Sequence, residues 1–175
     1  MRAARVRRTV RGDKSLKLLI EKRGPHEEQL RKFCEPFEVP VGTSPCDQPV
    51  CIMLFSNRSG SSLISEHMRA SPYFGGFGEP LNYQFVIEKS TRDGTRSFLQ
   101  YLQNVHHHHA GTGKKYGMKA SVDQALMLFR ARVIPEYYRD VRWVLIERSD
   151  LVANAVSLYF AGQSKQRRSV QAAGA

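Results

Sequence analysis

The chain has only three cysteines in 175 residues, Cys34, Cys46 and Cys51. They are odd in number and contain no C-x-x-C pair. Neither a disulfide framework nor a zinc site is indicated, and a reducing, cytoplasmic compartment is expected. Long apolar runs are also missing. None approaches the roughly 18 residues of a membrane-spanning helix. The N-terminus is positively charged, but no apolar segment follows, so a secretory signal is not read there. Asp13 and the scarcity of serine count against a transit peptide. Acidic residues are few: 16 Asp and Glu against 27 Lys and Arg, a net charge of +11. The excess is uneven. Residues 1–32 carry a net +7 and the rest of the chain +4. A basic tail explains the charge better than a nucleic-acid-binding domain does, and no specific nucleic-acid partner is expected.

The most informative stretch present is V-C-I-M-L-F-S-N-R-S-G-S-S-L-I, residues 50–64. Its six apolar residues suit a short buried strand. A small polar turn follows, and then a helical pattern in which Leu63, Ile64, His67 and Met68 share a face. Strand, small turn and helix together can form an anion cradle, because the first N–H groups of a helix lack partners and carry partial positive charge. Gly60 permits close approach of the backbone. Ser61 and Ser62 bring hydroxyls, and Arg58 brings a planar cationic fork suited to phosphate or sulfate oxygens. The nucleotide-triphosphate loop G-x-x-x-x-G-K-[ST] is absent, because there is one glycine and no lysine. The alternative reading is an ordinary strand-to-helix turn capped by serine.

The remaining pattern alternates strands with helices. Residues 1–48 read as a basic extension and linker, broken by Pro25, Pro36, Pro40 and Pro45. Residues 49–175 read as one α/β domain. After the helix over 61–70 comes an aromatic, glycine-rich loop, residues 73–83. A helical stripe of Phe98, Leu99 and Leu102 follows within 93–105. His106–His109 then read as a solvent-exposed tract, with no cysteine or acidic ligand nearby and no metal implied. Tyr116–Ala120 suggests a short strand, and Val122, Ala125, Leu126 and Phe129 suggest the apolar stripe of a helix. Val141–Glu147 is the second strong strand. Arg148-Ser149-Asp150 is a turn with an N-cap, opening a last helix with Leu151, Val152, Ala155, Val156 and Tyr159. This order predicts an α/β fold with a mainly parallel sheet and flanking helices. Ligands bind such sheets at the carboxyl ends of the strands. Arg58 and Arg148 both follow strands there, which suggests one ligand with two anionic groups.

These motifs resemble those of sulfotransferases. Arg58-Ser59-Gly60-Ser61-Ser62 is similar to their 5′-phosphosulfate loop. Arg148 and Ser157, within E-R-S-D-L-V-A-N-A-V-S-L-Y-F-A-G-Q-S, are similar to their 3′-phosphate-binding strand and helix. The match is nearest to the bacterial trehalose 2-sulfotransferase-like and lipopolysaccharide sulfotransferase family. Gly78-Glu79-Pro80 and the segment from Lys119 to Gln124 continue the likeness in the same order, over roughly residues 50–165. The resemblance implies a P-loop-like sulfotransferase fold. It implies 3′-phosphoadenosine 5′-phosphosulfate as donor and a carbohydrate or glycolipid hydroxyl as acceptor, and it is compatible with a homodimer. Arg58 and the following loop would hold the phosphosulfate, and Arg148 with Ser157 the 3′-phosphate. No metal is required.

Two features depart from the family pattern. The carboxylate expected three positions beyond the glutamate of G-E-P is Asn82, which cannot accept a proton as a base. Glu79 is then the nearest carboxylate for that role, with His67 a second choice. Lys119 would contact the acceptor or the sulfuryl group, or else is a solvated lysine at a strand end. The chain also stops soon after Gln163, where the family usually continues, so part of the core is expected to be exposed. A second functional reading is therefore an inactive homologue that binds a nucleotide or polyanion.

Overall fold

The structure, a computed structural model, describes residues 20–110 and 113–164. The basic tail expected over residues 1–19 and the basic stretch beyond residue 164 lie outside the described residues. The elements in chain order are α1 (Pro25–Phe33), β1 (Val50–Phe55), α2 (Ser61–Ala70), β2 (Phe74–Gly76), α3 (Tyr83–Asp93), α4 (Phe98–Ala110), β3 (Lys115–Ala120), α5 (Val122–Arg130), β4 (Val141–Ile146) and α6 (Leu151–Ser164). The four strands form one sheet in the order β2-β3-β1-β4. Every pairing is parallel, as the alternation of strands and helices predicts.

β1 is flanked on both sides. Cys51–Leu54 pairs with Gly117–Ala120 of β3, and Val50–Phe55 pairs with Val141–Ile146 of β4. Chain order therefore departs from β1 in both directions across the sheet. The carboxyl ends of β1, β3 and β4 lie on one edge, where an open α/β sheet binds its ligands.

The segment expected as a linker is part of the same core. Pro25 sits in the first turn of α1, where its missing N–H costs nothing. Leu30, Cys34, Phe37 and Val39 are all buried, packed with Val50 and Ile52 of β1, Met118 of β3 and Leu128 of α5. Phe37 stacks on Phe98 at 4.8 Å. Prolines here shape an irregular but packed chain, so the boundary at residue 48 does not separate an extension from the domain.

Two helical stripes differ from expectation. In α2 the buried positions are Ser61 and Ser65, while Leu63 is exposed. In α5 the buried set is Gln124, Ala125, Met127 and Leu128, and Val122 and Phe129 are exposed. Phe129 instead stacks on Trp143 of β4 at 6.2 Å. α3 falls between the loop read over 73–83 and the stripe read over 93–105, where no element was assigned. It is capped at one end by Asn82, whose side chain accepts from the N–H of Gln84, and ended by Gly94 at φ 66°. A glycine there takes the left-handed conformation without a steric penalty.

β4 and α6 are apolar and open. Trp143, Val144 and Leu145 on β4 are exposed, as are Leu151, Val152, Leu158, Tyr159 and Phe160 on α6. Adjacent strand residues face opposite sides, so both faces of β4 are largely open among the described residues, the stack of Phe129 on Trp143 apart.

Candidate functional site

The turn after β1 leads directly into α2, as the sequence pattern indicated. Ser59 N–H donates to Ser56 O at 3.3 Å, closing the turn. Arg58 at φ 65° and Gly60 at φ 86° both take left-handed backbone. A non-glycine residue there is uncommon, and such residues gather at ligand-binding turns. Gly60 is the N-cap residue of α2 and offers no side-chain cap, so neither flanking serine caps the helix. The first-turn N–H groups of α2 thus remain available to an anion. Ser59 Oγ is buried and has no hydrogen-bond partner among the described residues.

Two chain-distant groups converge on this turn. Arg58 Nε donates to Ser157 Oγ of α6 at 2.8 Å. Lys119, at the end of β3, is 4% exposed. Its Nζ donates to Glu79 Oε1 at 2.8 Å and to Ser62 Oγ at 3.4 Å, and it stands 5.1 Å from the centre of the Phe55 ring. A solvated strand-end lysine is therefore excluded. Its burial is compensated by a carboxylate, a hydroxyl and an aromatic face. Lys119 N–H also donates to Gly78 O at 2.8 Å, which fixes the G-E-P loop beside β3. Glu79 remains 40% exposed, so its carboxylate is reachable from the open side.

The remaining predicted residues separate. Arg148 follows β4 on the same sheet edge as Arg58. Its side chain is exposed and makes no hydrogen bond or ion pair among the described residues. Asp150 caps α6 by accepting from the N–H of Ala153 at 2.8 Å, as the turn pattern indicated. Asn82 is occupied as the cap of α3. His67 is exposed on α2. Gln124 completes a capping box with Ser121 at the start of α5. In the segment from Lys119 to Gln124, the lysine faces the site and the glutamine closes a helix end.

A cavity of about 250 Å³ opens beside Glu79, lined by Gly78, Arg69, Phe85 and His109 among others. Burial holds the His109 imidazole below its usual titration range, with His108 and Lys89 adding to the shift. Sequence reasoning missed His109 at this wall, because it lies about thirty positions beyond the G-E-P loop and reads as one of four adjacent histidines.

His106 corrects the expectation of a solvent-exposed tract. It lies inside α4, is 7% exposed, and packs against Tyr116 with ring centres 5.0 Å apart. Cys46 Sγ approaches both of its ring nitrogens, at 3.5 and 3.4 Å, so a cysteine is indeed nearby. Sixty positions separate the two residues, which is why spacing alone did not show it. The chain matches no family model, no curated protein and no solved structure.

Proposed function

We propose that the chain is a sulfotransferase that takes 3′-phosphoadenosine 5′-phosphosulfate as donor and passes its sulfuryl group to a carbohydrate or glycolipid hydroxyl. The observation that carries this reading is the meeting of Arg58 with Ser157 at the uncapped start of α2. The resemblance assigns these residues to two different anionic groups of one donor, and in the fold they are neighbours. The buried, unpartnered Ser59 hydroxyl fits a polar ligand at the same turn.

In this reading the Arg58 guanidinium and the α2 N–H groups bind the phosphosulfate, and Ser157 and Arg148 bind the 3′-phosphate. The donor supplies an activated sulfuryl group when bound. Lys119 is placed against Ser62 of the cradle, where its charge offsets negative charge developing on the leaving phosphate. Such preorganised donors give large rate effects because they need not reorient during reaction. Glu79, held by Lys119 and open to the adjacent cavity, accepts the proton of the acceptor hydroxyl.

Calorimetric titration with 3′-phosphoadenosine 5′-phosphate tests the donor site, beside an Arg148→Ala, Ser157→Ala double variant. Micromolar affinity, about 8 kcal/mol, lost in the double variant supports it. A folded chain that does not bind the nucleotide rejects it. Transfer of labelled sulfate to a panel of sugars then separates the enzyme from a binding-only homologue.

A further inference from the structure

At the amino end of the sheet, away from the cradle, Cys46, Asp47 and His106 form a compact cluster. Their potential ligand atoms all lie within 4.8 Å of one another. Cys46 and Asp47 come from the segment leading into β1, and His106 from α4, so the fold brings two distant stretches together. Cys46 N–H donates to Tyr137 O at 2.8 Å, anchoring that segment. Six residues of β1 separate this end from the turn that holds Arg58, a distance of about 20 Å. We propose that Cys46, Asp47 and His106 bind a zinc-class divalent ion, with the fourth position left to water or to a donor entering the neighbouring cleft.

The geometry matches that ion. Zn–S and Zn–N bonds of about 2.3 and 2.0–2.1 Å at a tetrahedral angle place sulfur and nitrogen about 3.5 Å apart. Cys46 Sγ lies 3.5 and 3.4 Å from the two His106 nitrogens. Near-equal distances put the sulfur off the lone-pair axis of either nitrogen, so the contact is not an aligned thiol–imidazole hydrogen bond. A turn of the ring directs one nitrogen to a shared ion. Asp47 is exposed and free to swing its carboxylate in. A thiolate, an imidazole and a carboxylate form a mixed donor set that suits zinc.

The surroundings also fit. The cluster opens on a cleft of about 560 Å³ lined by Gln48, Gln103, Asn104 and His107 among others. Tyr116 and Tyr138, whose rings pack on His106, bury hydroxyls that have no partner among the described residues. Burial holds the His106 imidazole below its usual titration range. Burial also raises the Cys46 thiol, and its sulfur contacts Gln48 O at 3.3 Å. A bound ion displaces that proton, because a coordinating thiol is deprotonated outright.

Titration of the full chain with Co²⁺, followed by competition with Zn²⁺, tests the site. One equivalent of Co²⁺ is expected to give a thiolate-to-metal absorption band, displaced by Zn²⁺. The band is expected to vanish in Cys46→Ser and to persist in Cys51→Ala. Asp47→Asn changes an exposed residue and leaves the packing intact. Its affinity should fall by at least the roughly 10–100-fold that even an outer-sphere partner costs. A folded chain without the band overturns the proposal, as does a band that persists in Cys46→Ser. Unchanged affinity in Asp47→Asn overturns the three-ligand site. Loss of binding in a His107→Ala, His108→Ala variant, with the Cys46→Ser variant still binding, would place the metal on the exposed histidines instead.

Discussion

Arg58 and Ser157 stand 99 positions apart in the chain, and the guanidinium Nε of one donates to the hydroxyl of the other at 2.8 Å. The contact ties the turn after β1 to the middle of α6. A hydrogen bond made by a charged group contributes about 1.5–3 kcal/mol. Arg58→Lys keeps the charge but loses the planar fork. It is expected to weaken 3′-phosphoadenosine 5′-phosphate binding by roughly 10–100-fold, the equivalent of that energy. Ser157→Ala should cost less, about tenfold, since it removes a neutral hydroxyl. Calorimetry on both variants decides this. Equal losses would mean that the hydroxyl acts mainly by positioning Arg58.

Lys119 offers a second test. Its Nζ is buried between Glu79 and Ser62. Lys119→Met keeps the length and the apolar stem and removes the charge. Glu79 is exposed enough to regain water, so the loss of stability should be small. Sulfuryl transfer, by contrast, is expected to fall about 10²–10³-fold, the range seen when one preorganised donor is removed. Rates and thermal unfolding measured together separate the outcomes. A large drop in melting temperature with transfer intact would make Lys119 a structural residue.

β1 and β4 were legible because they are short, mostly apolar runs bounded by turn residues, β3 (K-Y-G-M-K-A) was read more weakly from Tyr116 to Ala120, and the parallel order follows from the helices between the strands. The turn between β1 and α2 was legible too, since Arg58-Ser59-Gly60-Ser61-Ser62 lies within one contiguous stretch. Helix faces were less so. α2 buries Ser61 and Ser65 and leaves Leu63 in solvent, which inverts the usual apolar signal. β2 is three residues long and glycine-rich, so it carries no period-two pattern. The Cys46–His106 contact and the Lys119–Glu79 pair join residues 60 and 40 positions apart. No local spacing encodes such contacts; they follow from the order of the strands.

Glu27 tests whether the segment before β1 belongs to the domain. Its carboxylate is 1% exposed and bridges Arg31 of α1 at 2.9 Å and Arg130 of α5 at 2.6 Å. Removing the shared anion leaves two guanidinium groups facing each other with little water. Breaking a buried pair in this way costs about 3–5 kcal/mol. In a domain of this size Glu27→Ala should lower the melting temperature by roughly 6–20 °C. A chain starting at residue 49 loses the helix itself, together with Leu30, Cys34, Phe37 and Val39 of the core, and should not fold. Thermal unfolding followed by circular dichroism checks both. A cooperative transition in the shortened chain would return residues 20–48 to the status of an extension.

Alkaline pH should unfold the protein cooperatively. Burial pushes the Tyr137 phenol up to about 12, with nearby Cys46 and Asp47 adding to it. Burial raises Tyr101, Tyr116 and Tyr138 as well, and it lifts the Cys34 thiol to about 11. Unfolded tyrosines titrate near 10. Above these values, about 9 for the thiol and 10 for the phenols, the unfolded chain releases protons that the folded chain retains, so stability is intact below about 9 and falls as pH rises. Each group contributes up to about 1.4 kcal/mol per pH unit. Four phenols together exhaust a typical stability of about 5–15 kcal/mol within one to three pH units. Phenolate absorbance should therefore rise in one step with the loss of far-ultraviolet circular dichroism. Tyr138→Phe removes a hydroxyl that has no hydrogen-bond partner among the described residues, so it should cost little at neutral pH and move the alkaline midpoint upward. If the buried phenols titrate gradually while the dichroism stays constant, they reach solvent in the folded state, and the packing described around Tyr116 and Tyr138 is wrong.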